Sequence, residues 1–220
     1  MTQWRAVLFD CDGVLVDSEP IVNQVLQEAL AELGWGLSLD DVVHRYTGHT
    51  IRDAVALDAQ ARGQTLPSGW LDRFVQKRNQ ALQASLRMVP GADVAVSGVY
   101  RLLNGRIACA SGADRYKIEM QLSLVGLLSP AFDGRVFSGH EVPRTKPAPD
   151  VYLAAARHLG ADPSACLVIE DSAVGARAGL AAGATVWGYD PSGLGQAFLG
   201  LGVQRVFHRM ADLPQLIAAA

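Results

Sequence analysis

One stretch of the chain, from Val7 to Ser18, constrains the fold most strongly. Its sequence is VLFDCDGVLVDS, in which an apolar run typical of a buried strand stops at Asp10 and Asp12, and Gly13 follows directly. A glycine at this point favours a turn of the backbone. Two carboxylates at the mouth of a buried strand repel each other unless a cation or a shared proton compensates. The pair therefore indicates either a Mg2+ site, since Mg2+ prefers oxygen ligands, or a capped strand-to-helix turn.

The composition of the 220-residue chain is that of a folded protein. Half of the residues are hydrophobic and 19% are charged, which argues against disorder. The formal net charge of -3 gives no general attraction to nucleic acid or to anionic membranes. No apolar run approaches the ~20 residues that a membrane-spanning helix requires. We therefore expect a cytoplasmic protein that binds neither nucleic acid nor membrane, with a monomer as the default.

The cysteines agree with that location. Cys11, Cys109 and Cys166 lie far apart, show no metal-type spacing, and each lies in or beside an apolar run. Buried, reduced thiols are the expectation, which favours a reducing compartment. The first predicted strand begins within a few residues of Met1, with no signal-peptide pattern before it.

After the first strand, the sequence predicts only helices as far as Leu86. Asp17-Ser18-Glu19-Pro20 is typical of a helix start, and apolar residues then recur at helical spacing until Leu33, where Gly34 ends the run. Further helices are predicted over residues 40–46, 52–61 and 70–85. A continuous helical insert of this kind indicates a small separate domain, which we assign to residues 17–87.

From Val89 onwards, short apolar runs alternate with helices. Strands are predicted over residues 5–9, 106–110, 135–137, 165–169, 184–187 and 203–207, and helices over 93–103, 115–124, 150–159, 173–182 and 196–199. Such alternation implies parallel strands joined by crossover helices on both faces of one sheet. The sequence therefore predicts an α/β fold, with a parallel-sheet core formed by residues 1–16 and 88–220.

Polar residues follow three of the predicted strands, at the end of the sheet where ligands bind in such folds. They are Asp10 and Asp12, Ser111 and Gly112, and Glu170 and Asp171. A hydroxyl and free N–H groups before a helix suit an anion such as phosphate, although serine is also a common helix cap. Burying the two acids Glu170 and Asp171 at a strand end costs free energy unless a cation is present. The alternative is that Asp171 and Ser172 simply cap a helix.

Lys146 is a candidate ligand for that anion. It lies in the loop Arg144–Asp150, where two prolines hold the backbone extended and so present the side chain. A solvated surface lysine is the alternative, and would be preferred without the aspartates.

Together these segments resemble the haloacid dehalogenase-like (HAD) hydrolase superfamily over nearly the full length of the chain. The matching residues are Asp10-x-Asp12-Gly13-Val14-Leu15-Val16-Asp17-Ser18, Ser111, Lys146-Pro147-x-Pro149-Asp150, and Glu170-Asp171-Ser172 followed by Gly175 and Ala182-Gly183. All four family motifs occur in order. The helical insert resembles the cap domain of beta-phosphoglucomutase-like members and sugar phosphate phosphatases. The resemblance implies a Rossmann-like core with a helical cap inserted after the first strand.

The resemblance also implies roles for the matching residues. Asp10 would be the nucleophile that becomes an aspartyl phosphate, and Asp12 the general acid and then the general base. Mg2+ would be held by the Asp10 carboxylate, the Asp12 backbone carbonyl and Asp171, with Glu170 in support. The phosphoryl oxygens would be bound by Ser111, Gly112 and Lys146.

Asp12 distinguishes among the reactions of the family, because an acid at this position serves an alcohol leaving group. Phosphate ester chemistry is therefore favoured over dehalogenation. Mutase members carry a histidine in the first cap helix, near the position where this chain has Val22. They also carry an arginine close after a cap-loop glycine, and Arg52 of this chain is shifted from that position by one residue. We predict a phosphatase acting on a small phosphorylated metabolite, a sugar or sugar-acid phosphate, with a beta-phosphoglucomutase-like mutase as the alternative.

Substrate choice is expected to lie in the cap. His49 and Arg52 are predicted to contact the organic part of the substrate, the alternative being that both are solvated. A signalling receiver domain also combines acids and a lysine around a parallel sheet, but receivers are shorter and lack a helical insert.

Overall fold

The computed structural model describes residues 3–46 and 50–220. The chain divides into two compact units. The larger unit contains the residues through Asp17 together with Arg87–Ala220, and the smaller unit is Ser18–Leu86. Within the described ranges, no helix combines the length and the apolar character that crossing a membrane would require.

Eight strands are present in the described part of the chain. They are β1 (Ala6–Phe9), β2 (Val16–Asp17), β3 (Arg87–Met88), β4 (Ile107–Ser111), β5 (Val136–Ser138), β6 (Cys166–Glu170), β7 (Thr185–Tyr189) and β8 (Arg205–Phe207). Six of them form one parallel sheet in the order β5-β4-β1-β6-β7-β8, and β2 pairs antiparallel with β3. The predicted α/β fold with a Rossmann-like parallel sheet is confirmed.

The α-helices flank these strands along the chain. They are α1 (Glu19–Ala31), α2 (Leu39–Tyr46), α3 (Ile51–Ala61), α4 (Trp70–Ser85), α5 (Ala92–Leu102), α6 (Arg115–Leu124), α7 (Asp150–His158), α8 (Ala173–Ala181) and α9 (Leu213–Ala218). Shorter helical turns lie at Leu128–Phe132, Pro163–Ala165, Gln196–Phe198 and Met210–Asp212.

The structure differs from the sequence expectations in its shortest elements. The helix predicted over 196–199 is a three-residue 3-10 turn, Gln196–Phe198. The pair β2 and β3 and the helix α9 were not predicted. Two-residue strands and a six-residue helix are too short to produce a recognisable hydrophobic period.

The large sheet is covered on both faces, which explains why its strands are apolar at nearly every position. All four residues of β1 are at most 1% exposed. Leu8 packs in a cluster with Val168 and Val186 on one face. Phe9 points to the other face, where its ring meets Phe132 edge-on at 6.0 Å between centroids. Side chains of alternate residues therefore build two separate hydrophobic layers.

The smaller unit is entirely helical among its described residues and has its own hydrophobic core. Trp35, Tyr46 and Trp70 are each less than 5% exposed. The Trp70 ring stacks on Phe74 at 5.8 Å, and its indole N–H donates to the carbonyl of Ala29 at 3.3 Å. Apolar residues of all four helices pack together in this cluster, which contains no residue of the large sheet.

Strand order determines where a ligand crevice can form. The chain starts in the middle of the sheet with β1, builds one side with β4 and β5, and then returns to build the other side from β6. Phe9 is paired with Cys109 on one side and with Ile169 on the other. The residues that end or follow these three strands, Asp10, Ser111 and Glu170, therefore lie together at the topological switch point.

Candidate active site

The centre of the site is the ammonium group of Lys146. Its Nζ donates to Asp10 Oδ1 at 2.7 Å and to Glu170 Oε1 at 2.7 Å. The lysine comes from the loop between β5 and α7, and the two acids come from the ends of adjacent strands. The Lys146 side chain is 8% exposed and that of Glu170 is fully buried. The lysine is thus a buried counterion, and the solvated alternative is wrong.

Both oxygens of Glu170 are held by protein donors. Tyr152 lies on α7, and its hydroxyl donates to Glu170 Oε1 at 2.7 Å while accepting from Lys146 at 2.9 Å. Ser172 donates to Glu170 Oε2 through its hydroxyl at 3.0 Å, and the same hydroxyl accepts the N–H of Gly175 at the start of α8. Ser172 therefore caps the helix and fixes the acid.

These contacts shift the proton affinities of the site. Burial raises the pKa of Asp10 to about 7, against the lowering effect of Lys146, and nearby Glu170 and Asp12 add to the rise. Burial works against the charged form of Lys146, but the carboxylates of Asp10 and Glu170 outweigh it and raise its pKa well above the usual value. Lys146 is therefore a cation at all relevant pH values, whereas Asp10 gains and loses its proton near neutrality.

Asp10, Glu170 and Asp171 form a cluster that could hold a metal ion. One carboxylate oxygen from each lies within 4.8 Å of the others. Three carboxylates are hard oxygen donors of the type that Mg2+ prefers. The donor set therefore fits the expected cation.

Two glycines make room for this acidic cluster. Gly13 has φ of +76°, and a Cβ there would overlap the Asp171 carboxylate. A Cβ on Gly175 would overlap Glu170 in the same way. Both acids occupy space that any other residue at positions 13 and 175 would fill.

The carboxylate of Asp12 is held by helix α6. Lys117 Nζ lies 2.8 Å from both of its oxygens, and Gln121 Nε2 donates to Oδ1 at 2.9 Å. Lys117 and Gln121 are one helical turn apart and both are buried. The backbone of Asp12 remains beside Asp10, in a turn that is closed by the bond from Gly13 N to Val16 O at 2.8 Å.

The predicted phosphate-binding residues Ser111 and Gly112 lie at the carboxyl end of β4, next to β1 in the sheet. Ser111 is buried, and its hydroxyl accepts the N–H of Ala113 at 3.2 Å. The residue that caps α6 is instead Asp114, which accepts the N–H of Lys117. The alternative interpretation of Ser111 as the helix cap is therefore wrong.

The predicted substrate-contacting residues belong to the smaller unit. Arg52 is exposed near the start of α3. His49 lies outside the described residues.

Sequence reasoning missed Tyr152, Lys117 and Gln121. Each lies inside a helix, where a tyrosine, a lysine or a glutamine is ordinary. One feature of the sequence could have indicated Lys117 and Gln121. Each directly precedes an apolar residue, Ile118 or Leu122, on the side of α6 that is buried. The three cysteines are buried and free, which agrees with the expectation of buried thiols.

The fold and the site together define an α/β enzyme with an acidic cluster and a buried lysine at the switch point of its sheet. A family model for haloacid dehalogenase-like hydrolases matches residues 4–183. The chain belongs to this family.

Three curated relatives are informative. The chain is 30% identical to hexitol phosphatase B of Escherichia coli over 182 residues, covering 82% of this chain and 81% of the relative. It is 27% identical to the E. coli 6-phosphogluconate phosphatase over 188 residues, covering 85% and 83%. The chain is also 30% identical to part of the Arabidopsis thaliana protein SUPPRESSOR OF QUENCHING 1, chloroplastic, over 192 residues. This match covers 80% of the present chain but only 17% of the much longer relative. The named phosphatases place this chain among the phosphoric monoester hydrolases.

A solved structure extends the match to the whole chain. The HAD family hydrolase of Deinococcus radiodurans, determined with bound phosphate and sodium, is 35% identical with a TM-score of 0.79. The match covers 100% of this chain and 97% of that one.

The pKa of Asp10 predicts how cation binding depends on pH. Because burial raises that pKa to about 7, a proton competes with a cation for the same carboxylate below neutrality. We expect the apparent Kd for Mg2+ to fall up to about tenfold per pH unit as the pH rises towards 7, and to level off above about pH 8. Calorimetric titration of EDTA-treated protein measures this slope. In Asp10→Asn the slope should vanish; a slope that persists there, or a flat wild-type profile, contradicts the assignment.

The space beside Gly13 predicts a selective defect. Gly13→Ala should weaken Mg2+ binding at least about tenfold, because the new methyl group displaces the Asp171 carboxylate. Gly34→Ala is the matched control, since Gly34 has nearly the same φ of +79° but no atom within 4 Å of the position that a Cβ would take. Both variants should lose about 1 kcal/mol of stability from the backbone alone. Equal Mg2+ affinity in the two variants would show that the carboxylate does not need this space.

Proposed function

We propose that the chain is a Mg2+-dependent phosphatase that hydrolyses a small phosphorylated sugar or sugar acid through an aspartyl phosphate on Asp10. The observation that carries the proposal is the buried bridge of Lys146 between Asp10 and Glu170, next to Asp171. Phosphoryl transfer depends on positioning and on neutralising the charge of the phosphoryl oxygens. A buried cation beside a strand-end carboxylate supplies both requirements.

The proposed cation ligands are the carboxylates of Asp10 and Asp171, the backbone carbonyl of Asp12 and, in support, Glu170. When bound, Mg2+ would neutralise charge on the phosphoryl group. Three carboxylates, those of Asp10, Glu170 and Asp171, lie around the ammonium group of Lys146, so a divalent cation also suits the charge of this group.

In the first half of the proposed reaction, an Asp10 oxygen attacks phosphorus and forms an acyl phosphate while the bond from phosphorus to the ester oxygen breaks. Asp12 gives its proton to the departing alcohol. Lys146 already lies 2.7 Å from the attacking carboxylate, so its ammonium group can pair with the incoming phosphoryl oxygens. Ser111 and the N–H groups around Gly112 are the proposed remaining donors.

In the second half, Asp12 takes a proton from water as the water oxygen attacks phosphorus. The bond between phosphorus and the Asp10 oxygen breaks, inorganic phosphate leaves, and both aspartates return to their starting states. The same carboxyl group thus serves as acid and then as base.

The substrate class rests on the relatives. Hexitol phosphatase B and 6-phosphogluconate phosphatase are named for sugar-alcohol and sugar-acid phosphates, and a further relative, of Escherichia coli, is named fructose-1-phosphate phosphatase. The phosphate in the D. radiodurans structure supports a phosphoryl site in the shared fold. We propose that the helical unit acts as a cap that selects the organic part of the substrate, with His49 and Arg52 as the residues to test.

Turnover of phosphate monoesters tests the proposal. The wild-type protein should release phosphate from a panel of hexitol, hexose and aldonic acid phosphates, and EDTA should abolish the release until Mg2+ is restored. Asp10→Asn should lower kcat by at least about 10⁴-fold, since it removes the nucleophile but keeps the shape. Undiminished turnover after exhaustive chelation, or a near-normal kcat in Asp10→Asn, would contradict the proposal.

A second assay separates hydrolysis from isomerisation. Incubation with beta-glucose 1-phosphate and a trace of the 1,6-bisphosphate should yield at most free phosphate and glucose. Accumulation of glucose 6-phosphate would instead favour the mutase.

A further inference from the structure

Helix α6 provides an anchor for the Asp12 carboxylate. Oδ1 of Asp12 accepts hydrogen bonds from both Lys117 and Gln121, at 2.8 and 2.9 Å. Lys117 also reaches Oδ2 at 2.8 Å. The Lys117 side chain is only 9% exposed. A lysine is rarely buried to this extent without a role for its charge, because removing an ammonium group from water is costly.

Helix α6 is itself fixed to the segment 111–114, which carries the proposed phosphate-binding residues Ser111 and Gly112. The Asp114 carboxylate accepts the backbone N–H of Lys117 at 2.9 Å and so caps α6. Arg115, the first residue of the helix, pairs with Glu141 in the loop after β5, with 2.6 Å between Nε and Oε1. Gln121 is fully buried, and its Oε1 faces the thiol of Cys11 at 3.8 Å. The position of Lys117 is therefore determined by the same segment that carries Ser111.

We propose that Lys117, assisted by Gln121, is a positioning residue for the general acid–base Asp12. This inference rests on the proposed phosphatase function. Oδ1 accepts from both side chains, whereas Oδ2 accepts from Lys117 but not from Gln121. Oδ2 is therefore the oxygen assigned to proton exchange with the leaving alcohol and then with water. The proton balance of the reaction involves only Asp12, the alcohol and water.

This role predicts a defect that depends on the leaving group. In Lys117→Met, the first turnover of an alkyl phosphate such as sorbitol 6-phosphate should slow by about 10²-fold, because an alkoxide cannot leave without a well-placed acid. The first-turnover release of p-nitrophenol from its phosphate should change by less than about threefold, since nitrophenolate leaves unaided. Subsequent phosphate release should be slow, because water activation also needs Asp12. A burst of nitrophenol equal to the enzyme concentration is the expected signature.

Lys77→Met is the matched control. Lys77 is also paired with a carboxylate, Glu32, but its side chain is 46% exposed and it belongs to the helical unit. This variant should show wild-type rates with both substrates. Gln121→Leu removes one bond to Oδ1 without removing a charge, and should give the same pattern with a smaller loss of about fivefold to tenfold. It keeps the test decisive if Lys117→Met does not fold.

A double-mutant cycle with Asp12→Asn shows whether Lys117 acts through Asp12. Lys117→Met should cost nothing further in the Asp12→Asn background, as measured with p-nitrophenyl phosphate over complete turnovers. An equal loss in both backgrounds, or equal losses with the alkyl and aryl esters in the first turnover, would overturn the positioning role and leave the phosphatase intact. A wild-type protein that releases no phosphate from any ester would overturn both proposals.

Discussion

The ion pair between Lys146 and Asp10 is the interaction on which the site depends. Asp10 follows a strand buried on both faces, so its carboxylate enters an environment that disfavours charge and has a pKa of about 7. The ammonium of Lys146 limits this rise, and Glu170 and Tyr152 hold the lysine in place at 2.7 and 2.9 Å. A buried charge that is held by its neighbours is already oriented for a reaction that develops charge.

The fold explains how residues so far apart in sequence meet. Asp10, Ser111 and Glu170 are brought together because β1 lies between β4 and β6 in the sheet. Lys146 joins them from the loop after β5. Parallel pairing places the carboxyl ends of these strands at one edge. The side chains of Asp10, Lys146 and Glu170 therefore meet at this edge.

The sequence was sufficient to predict the strands of the large sheet, because strands that are buried on both faces are short apolar runs that end in recognisable turns. It was also sufficient to predict that Asp10, Lys146 and Glu170 converge. It could not reveal Tyr152 or Lys117, because a polar residue within a helix shows nothing of its partner across the fold. Lys117 contacts a carboxylate 105 positions away. The space that Gly13 leaves for Asp171 was equally hidden, since the glycine predicted only a turn.

The central claim is that Asp10 carries the phosphoryl group between the two half-reactions. Reduction with borohydride during turnover, followed by peptide mass spectrometry, tests it directly, because an acyl phosphate is reduced to an alcohol whereas a free carboxylate is not. The account predicts that residue 10 is converted to homoserine only when a phosphorylated substrate and Mg2+ are both present. Conversion at another acid, or substrate-dependent turnover with no reduced residue in a rapidly quenched sample, would contradict it.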